Sequence, residues 1–270
     1  MKMNWKNIFM GAAVFALSAA LLTGCGGSEK APSTDNAAEM GKIIVGLDDN
    51  FPPMGFKNEK NEIVGFDVDL AKEAAKRLGR EVEFKAIDWS SKEAELKSGR
   101  VQILWNGLDI TEKRKENMLF SNPYMDNRQI IFVKKGNTSV TDEKSLAGKT
   151  VGTQSAGTAE EYIDATPFYK NDVKEVKKYP DYVAAFMDLE NGRLDAVIGD
   201  EIVGRYYMSK HPDQLEALDV VVGPTSEFGI AFAKDNTALR DEVQKVLDEM
   251  KADGTTAKVS TEWFGKDITK

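Results

Sequence analysis

In 270 residues the chain has one cysteine and one histidine. That leaves no internal disulfide, no His/Cys zinc constellation and no Ser-His or Cys-His nucleophile system to build. No metal or cofactor is expected. The histidine, His211, lies in Ser209-Lys210-His211-Pro212-Asp213, a polar loop, and is given no role. Positive charge is also in short supply, with 36 Lys+Arg against 44 Asp+Glu. Nucleic-acid binding needs a basic stripe to displace counterions, so that class is excluded, and cationic or zwitterionic partners fit better. The apolar stretch Ile8 to Leu22 is short for a membrane-spanning helix. What is present, 41% hydrophobic and 30% charged residues, describes a globular protein with material for roughly two domains.

The apolar stretch follows Lys2 and Lys6 and ends in Leu22-Thr23-Gly24-Cys25, small residues directly before the only thiol. A basic n-region, a short apolar h-region and that ending resemble the bacterial lipobox, whose cysteine becomes the lipidated N-terminus. Residues 1–24 are therefore expected to be a signal peptide, and Cys25 a palmitate-bearing lipid attachment site. Residues 25–40, small and polar around Pro32, read as a flexible lipoprotein tether. The expected location is extracytoplasmic and lipid-anchored, on the outer face of the cytoplasmic membrane or in the periplasm.

The folded part reads as two successive α/β units. Ile43-Ile44-Val45 is a buried-strand run that ends at Gly46-Leu47-Asp48-Asp49-Asn50-Phe51, placing Asp48 and Phe51 at a sheet rim. A helix opens at Gly65-Phe66-Asp67, with apolar positions 66, 70, 74 and 78 on one face, and Gly79 ends it. Asp67 and Asp69 read as helix-start residues. Glu81 to Ile87 alternates as a half-exposed strand, Trp89 precedes a polar helix, and Val101 to Leu104 is a strand stopping at Asn106-Gly107. Trp105 is read as strand interior, and both Trp105 and Trp263 as structural. Beyond it, free amides at Leu108 to Ile110, a Thr111 N-cap and Arg114 would together suit a carboxylate. In the second unit Gln129 to Val133 is a strand, and Gln154 to Thr158 another strand-to-helix loop with free amides. Tyr182 to Leu189 is a helix, Leu194 to Ile198 a strand ending at Asp200, and Phe228 to Phe232 a single strand. Asp200 also suits a helix N-cap before Glu201. Thr237 to Met250 is an amphipathic helix, which Gly254 breaks.

The segment Gly65-Phe66-Asp67-Val68-Asp69-Leu70-Ala71, the loop Asp109-Ile110-Thr111-Glu112-Lys113-Arg114, Leu194-Asp195-Ala196-Val197 and Trp263-Phe264-Gly265 occur in an order and spacing that resemble a known family. It is the extracytoplasmic amino-acid-binding proteins of ABC importers, polar amino acid (family 3) group, over Lys42 to Lys270. The resemblance implies an α/β, two-lobe type II periplasmic-binding-protein fold with two crossover strands forming a hinge. These fall near Tyr124–Arg128 and Pro224–Phe228. Residues 41–125 plus 227–270 would form lobe 1, and 126–226 lobe 2.

By the same resemblance Arg114 takes a ligand α-carboxylate, helped by the backbone amides of Asp109 and Thr158, and Asp200 takes the α-ammonium. Asn106 and Gly107 line the loop, Phe51 and Trp89 hold the ligand side chain, Asp48 meets its tip, and Gln154 adds a polar contact. The chain departs from the family where Gly107 and Asp109 replace the usual Ser or Thr. Asp109 either adds a second acid near the ammonium or faces Arg114 and partly neutralises it.

The implied function is a monomeric, lipid-anchored receptor that delivers a free amino acid to an ABC permease. Asp48 with two aromatics favours an arginine- or lysine-like ligand. A neutral polar ligand such as glutamine or cystine is the alternative. A dehydratase on the same fold is a remote one, since no nucleophile system is present and an enzyme is not expected. Replacing Cys25 with Ser should move the protein from the membrane fraction to the soluble fraction. Continued incorporation of radiolabelled palmitate would refute the attachment site.

Overall fold

The computed structural model describes residues 41–270. The signal peptide, the tether and Cys25 lie outside the described residues. The chain opens with β1 (Ile43–Leu47), a small antiparallel sheet of β2 (Asn50–Phe51), β3 (Gly55–Lys57) and β4 (Ile63–Val64), and then α1 (Phe66–Arg77). β5 (Val82–Ala86), α2 (Lys92–Lys97), β6 (Ile103–Leu104), α3 (Glu112–Asn117) and β7 (Met118–Phe120) follow. β8 (Met125–Asn127) leads to β9 (Gln129–Lys134), β10 (Thr150–Gln154), α4 (Thr158–Ala165), α5 (Pro167–Asn171) and β11 (Glu175–Tyr179). Next come α6 (Tyr182–Glu190), β12 (Ala196–Asp200), α7 (Glu201–Lys210) and β13 (Leu215–Val221). The chain returns through β14 (Ser226–Phe228) to β15 (Ala231–Ala233), α8 (Thr237–Ala252) and α9 (Thr255–Phe264).

Two five-stranded sheets result, ordered β5-β1-β6-β15-β7 and β11-β10-β12-β9-β13. In the first, β1 runs parallel to β5 and β6, while β15 is antiparallel to β6 and β7. In the second, β10 is parallel to β11 and β12, and β9 antiparallel to β12 and β13. Between them β8 and β14 pair as an antiparallel ribbon, Met125 opposite Phe228 and Asn127 opposite Ser226. These are the two crossovers of a two-lobe type II fold. Each lobe is a sheet with helices on its faces, so Ile130 to Val133 of β9 are buried on both sides. Fully burying a side chain such as Phe132 or Phe232 contributes about 1.5–3 kcal/mol. α1 turns Phe66, Leu70 and Ala74 inward and carries acids in its first turn and bases in its last, in keeping with the helix dipole. Asn236 caps α8 by accepting from the Leu239 amide.

Three expectations need correction. Phe228 to Phe232 is two strands, because Phe228 pairs with Met125 of the ribbon while Ala231 pairs with Leu104 and Phe120 of the first sheet; the chain must bend between those partners. Trp105 lies beyond the end of β6. After Gly254 the chain does not simply stop being helical; α9 starts at the next residue. The sequence reading also passed over β2 to β4, β7, α5 and β11.

The useful geometry is where strands end. Asp48 follows β1, Asn106 closely follows β6, and Gln154 and Asp200 are the last residues of β10 and β12. Parallel strands thus deliver these side chains to the carboxyl edges of both sheets, the edge at which open α/β sheets bind ligands.

Candidate functional site

The loop after β6 is set from behind. The Gly107 amide donates to Oδ2 of Asp67 at 2.7 Å, and the Tyr124 hydroxyl donates to the same oxygen at 3.0 Å. Asp67 is a helix-start residue, as read, but its buried carboxylate also organises this loop, which the sequence reading missed. Gly107 has φ +55°, and a Cβ there would stand 2.7 Å from Phe51 Cε1. Glycine at this family-divergent position is therefore required both by the backbone and by the Phe51 ring. Asn106 Oδ1 accepts from the Asp48 amide at 3.1 Å, so its side chain braces the neighbouring loop. Of the amides expected to be free, that of Ile110 is engaged: it donates to Glu227 O at 2.8 Å, where the loop meets β14.

Thr111 caps α3, its hydroxyl accepting from the Arg114 amide at 3.2 Å. The Arg114 guanidinium is 2% exposed. Nη1 donates to Asp109 O at 3.0 Å, and Nη2 lies 3.4 Å from Ala156 O and 2.9 Å from the Glu161 carboxylate. Nε has no partner among the described residues, leaving one donor of a buried fork unused. Thr158 begins α4, so its amide is among those a helix start leaves without an intrahelical acceptor.

Asp109 resolves differently from either alternative. Its Oδ1 accepts from Asn127 Nδ2 at 3.0 Å and Ser226 Oγ at 2.6 Å, one from each ribbon strand, while Arg114 reaches only its backbone oxygen. Asn127 Nδ2 also donates to Asp200, and Gln129 Nε2 donates to Asp200 at 2.9 Å. Two buried carboxyls thus share one amide. Burial raises both, and the charge of Asp109 raises Asp200 further. The Asp200 side chain makes no capping bond to α7; it turns inward to Asn127 and Gln129 instead.

At the other end Asp48, 6% exposed, accepts from the Asn50 amide at 2.9 Å and from Gln154 Nε2 of the second lobe at 2.6 Å. Burial pushes its carboxyl up to about 7, and the charge of Asp181 adds to this. The Phe51 ring lies 6.0 Å from that of Tyr182. Phe51 and Trp89 belong to separate apolar clusters, Trp89 packing with Leu96, Val101 and Leu104. The cation over the Trp89 ring is the chain's own Lys92, Nζ 5.2 Å from the centroid and 2.8 Å from Ala156 O. Burial, then the neighbouring Arg114 charge, lowers the Lys92 ammonium to about 8. The arrangement brings together Asp48 with Gln154, Arg114 with Asp109, and Asp109 with Asp200. It adds Asp67, Lys92, Asn127, Glu161, Tyr182 and Ser226.

Residues 43–266 match the model of the bacterial extracellular solute-binding proteins, family 3. The chain belongs to that family. Being a family 3 solute-binding protein, it is a binding protein and not an enzyme. It is 35% identical over 235 residues to ABC transporter arginine-binding protein 1 of Escherichia coli (strain K12), covering 86% of this chain and 94% of that one. It is 33% identical over 235 residues to the L-cystine-binding protein TcyJ of the same organism, covering 86% of each. An ancestral arginine-binding protein bound to arginine superposes with a TM-score of 0.79 at 40% identity, over 83% of this chain and 99% of that one. The same ancestral protein bound to glutamine gives a TM-score of 0.78 at 40% identity, over 84% and 99%.

Burial also pushes Asp67 up to about 7, so in this binding protein several carboxyls hold protons that an unfolded chain releases near 3.8. The folded chain then carries more protons than the unfolded chain between roughly pH 4 and 7. Its stability without ligand falls as pH rises through that window. Glu201, lowered to about 2 by Arg128, acts in the opposite sense, but only below about pH 4.5. Thermal unfolding should therefore give a higher Tm at pH 5 than at pH 7.5, and Asp48→Asn should flatten the difference. A Tm that climbs steadily to pH 7.5 would contradict the assignment.

Proposed function

We propose that this solute-binding protein is a lipid-anchored, monomeric receptor that closes residues 41–125 plus 227–270 against residues 126–226 around a free cationic amino acid. It then presents the amino acid to an ABC permease. The observation that carries this reading is the charge of the enclosed site. Asp48, Asp109 and Asp200 are buried there. The cations beside them are engaged elsewhere, Arg114 with Glu161 and Lys92 with a backbone carbonyl. Desolvating a carboxylate without a cation is costly, and a ligand that brings two positive groups removes that cost.

In this reading Arg114, with the unused Nε and the amides of Asp109 and Thr158, takes the α-carboxylate. Asp200, tied to Asp109 through Asn127, takes the α-ammonium. Phe51 and Trp89 border the side chain, with Asn106 and Gly107 holding the loop between them, and Asp48 with Gln154 meets the tip. A ligand bridging both lobes binds the closed form better and so shifts the equilibrium towards it. Micromolar affinity requires about −8 kcal/mol net. Two charge-assisted pairs and one apolar wall are in proportion to that. Arginine binding by the relatives named above agrees with this reading. Glutamine is the second reading, supported by the Gln154 carboxamide on Asp48, a contact that a ligand amide could reproduce.

A thermal-shift panel of the twenty amino acids plus ornithine and cystine tests this. The largest stabilisation should come from arginine or lysine. Arg114→Ala should abolish stabilisation by every amino acid, and Asp48→Asn should weaken arginine and lysine more than glutamine. Binding retained by Arg114→Ala would sink the carboxylate assignment.

A further inference from the structure

The segment Pro180-Asp181-Tyr182, between β11 and the body of α6, faces Asp48 to Phe51 of the other lobe at three successive points. Gln154 Nε2 donates to Asp48 Oδ2 at 2.6 Å and also to Pro180 O at 3.2 Å. Asn50 Nδ2 donates to Asp181 Oδ2 at 3.4 Å. Phe51 and Tyr182 meet ring to ring at 6.0 Å and 46°. Asp181 uses its other oxygen to cap α6, accepting from the Ala184 amide at 2.8 Å, which leaves Oδ2 directed across the gap.

The Tyr182 ring is fully buried and held on its far side. Phe186 stacks on it at 6.1 Å, and a Cβ on Gly199 would lie 2.4 Å from Tyr182 Cε1. Glycine at 199 is what leaves room for the ring. Yet the Tyr182 hydroxyl and the equally buried Thr153 hydroxyl have no hydrogen-bond partner among the described residues. Buried hydroxyls are normally bonded, so two unbonded ones at the foot of a cleft mark positions from which a ligand is contacted. The carboxylate of Asp200 and the Thr153 hydroxyl both act on this phenol, which puts it at the ammonium end of the site.

We propose that Pro180–Tyr182 forms the second-lobe wall of the side-chain pocket, where Tyr182 opposes Phe51 across the ligand and Asp181 joins Asp48 and Pro180 O in holding a guanidinium. This rests on the cationic reading above and narrows it to arginine over lysine. The Gln154 carboxamide spans two acceptors with one nitrogen. A guanidinium offers five N–H donors in a plane, enough for Asp48, Pro180 O and Asp181 together. That plane also lies flat between two rings, whereas a lysine ammonium offers three donors and no plane. Sequence reading overlooked the wall because Tyr182 and Asp181 look like an ordinary helix start.

Isothermal titration of arginine, lysine and glutamine into the wild type, Asp181→Asn and Tyr182→Phe tests the proposal. Asn caps helices as well as Asp, so Asp181→Asn keeps α6. Wild type should prefer arginine to lysine. Asp181→Asn should weaken arginine about fivefold or more while glutamine stays within about twofold. Tyr182→Phe, which loses only the hydroxyl, should weaken all three ligands about fivefold. Arginine affinity unchanged in both variants overturns the proposal and leaves the Arg114 anchor standing. Wild type that binds glutamine or cystine but no cationic amino acid overturns the cationic reading and this one together.

Discussion

Between its lobes the protein encloses more negative charge than it neutralises. Asp48, Asp109 and Asp200 are all nearly sealed from water, and their neighbours are amides and hydroxyls, not ammonium or guanidinium groups. A carboxylate in that setting either keeps a proton or waits for a cation. The raised values at Asp48 and Asp200 are the first outcome, and a bound cationic amino acid would be the second. The binding site and the acid-base behaviour of the molecule are therefore one property.

The same acids are tied into the ribbon that links the lobes. Asn127 of β8 bonds both Asp109 and Asp200, and Ser226 of β14 bonds Asp109. Asp109 lies in the loop beside the first sheet, Asp200 at the end of a strand of the second, and Asn127 in the crossover itself. Neutralising Asp200 with an ammonium would alter the charge that this crossover amide has to satisfy. Ligand charge and lobe position are thus coupled through a single side chain, a small bistable element of the kind that switching proteins use. The departure at Asp109, a carboxylate where family members carry Ser or Thr, thereby gains a structural purpose. Its paired neighbour at Gly107 makes room for the Phe51 ring.

Much of this was legible in the sequence because its cause was local. β1, α1, the Thr111 cap and Arg114 rest on contacts within one or two turns, so periodicity and capping chemistry located them. Strand ends are also local, and they put Asp48, Gln154 and Asp200 at sheet rims. What escaped depends on distant partners or on elements too short to have a period. β2 to β4 span two or three residues each. Asp67 meets Gly107 across forty positions, and Phe51 meets Tyr182 across the cleft. Trp89 illustrates the cost of judging residue type alone. It was expected to face the ligand with Phe51, yet its ring carries Lys92, three residues ahead on the same helical turn. That spacing was visible and would have been the signal.

The central claim is that a cationic ligand replaces protons on the enclosed acids. Isothermal titration of arginine near pH 6.5, repeated in buffers of different ionisation enthalpy, counts the protons exchanged on binding. A cation beside Asp48 and Asp200 lowers their affinity for protons, so the account predicts net release on the order of one proton per arginine bound. Binding with no exchange, or with proton uptake, would contradict it.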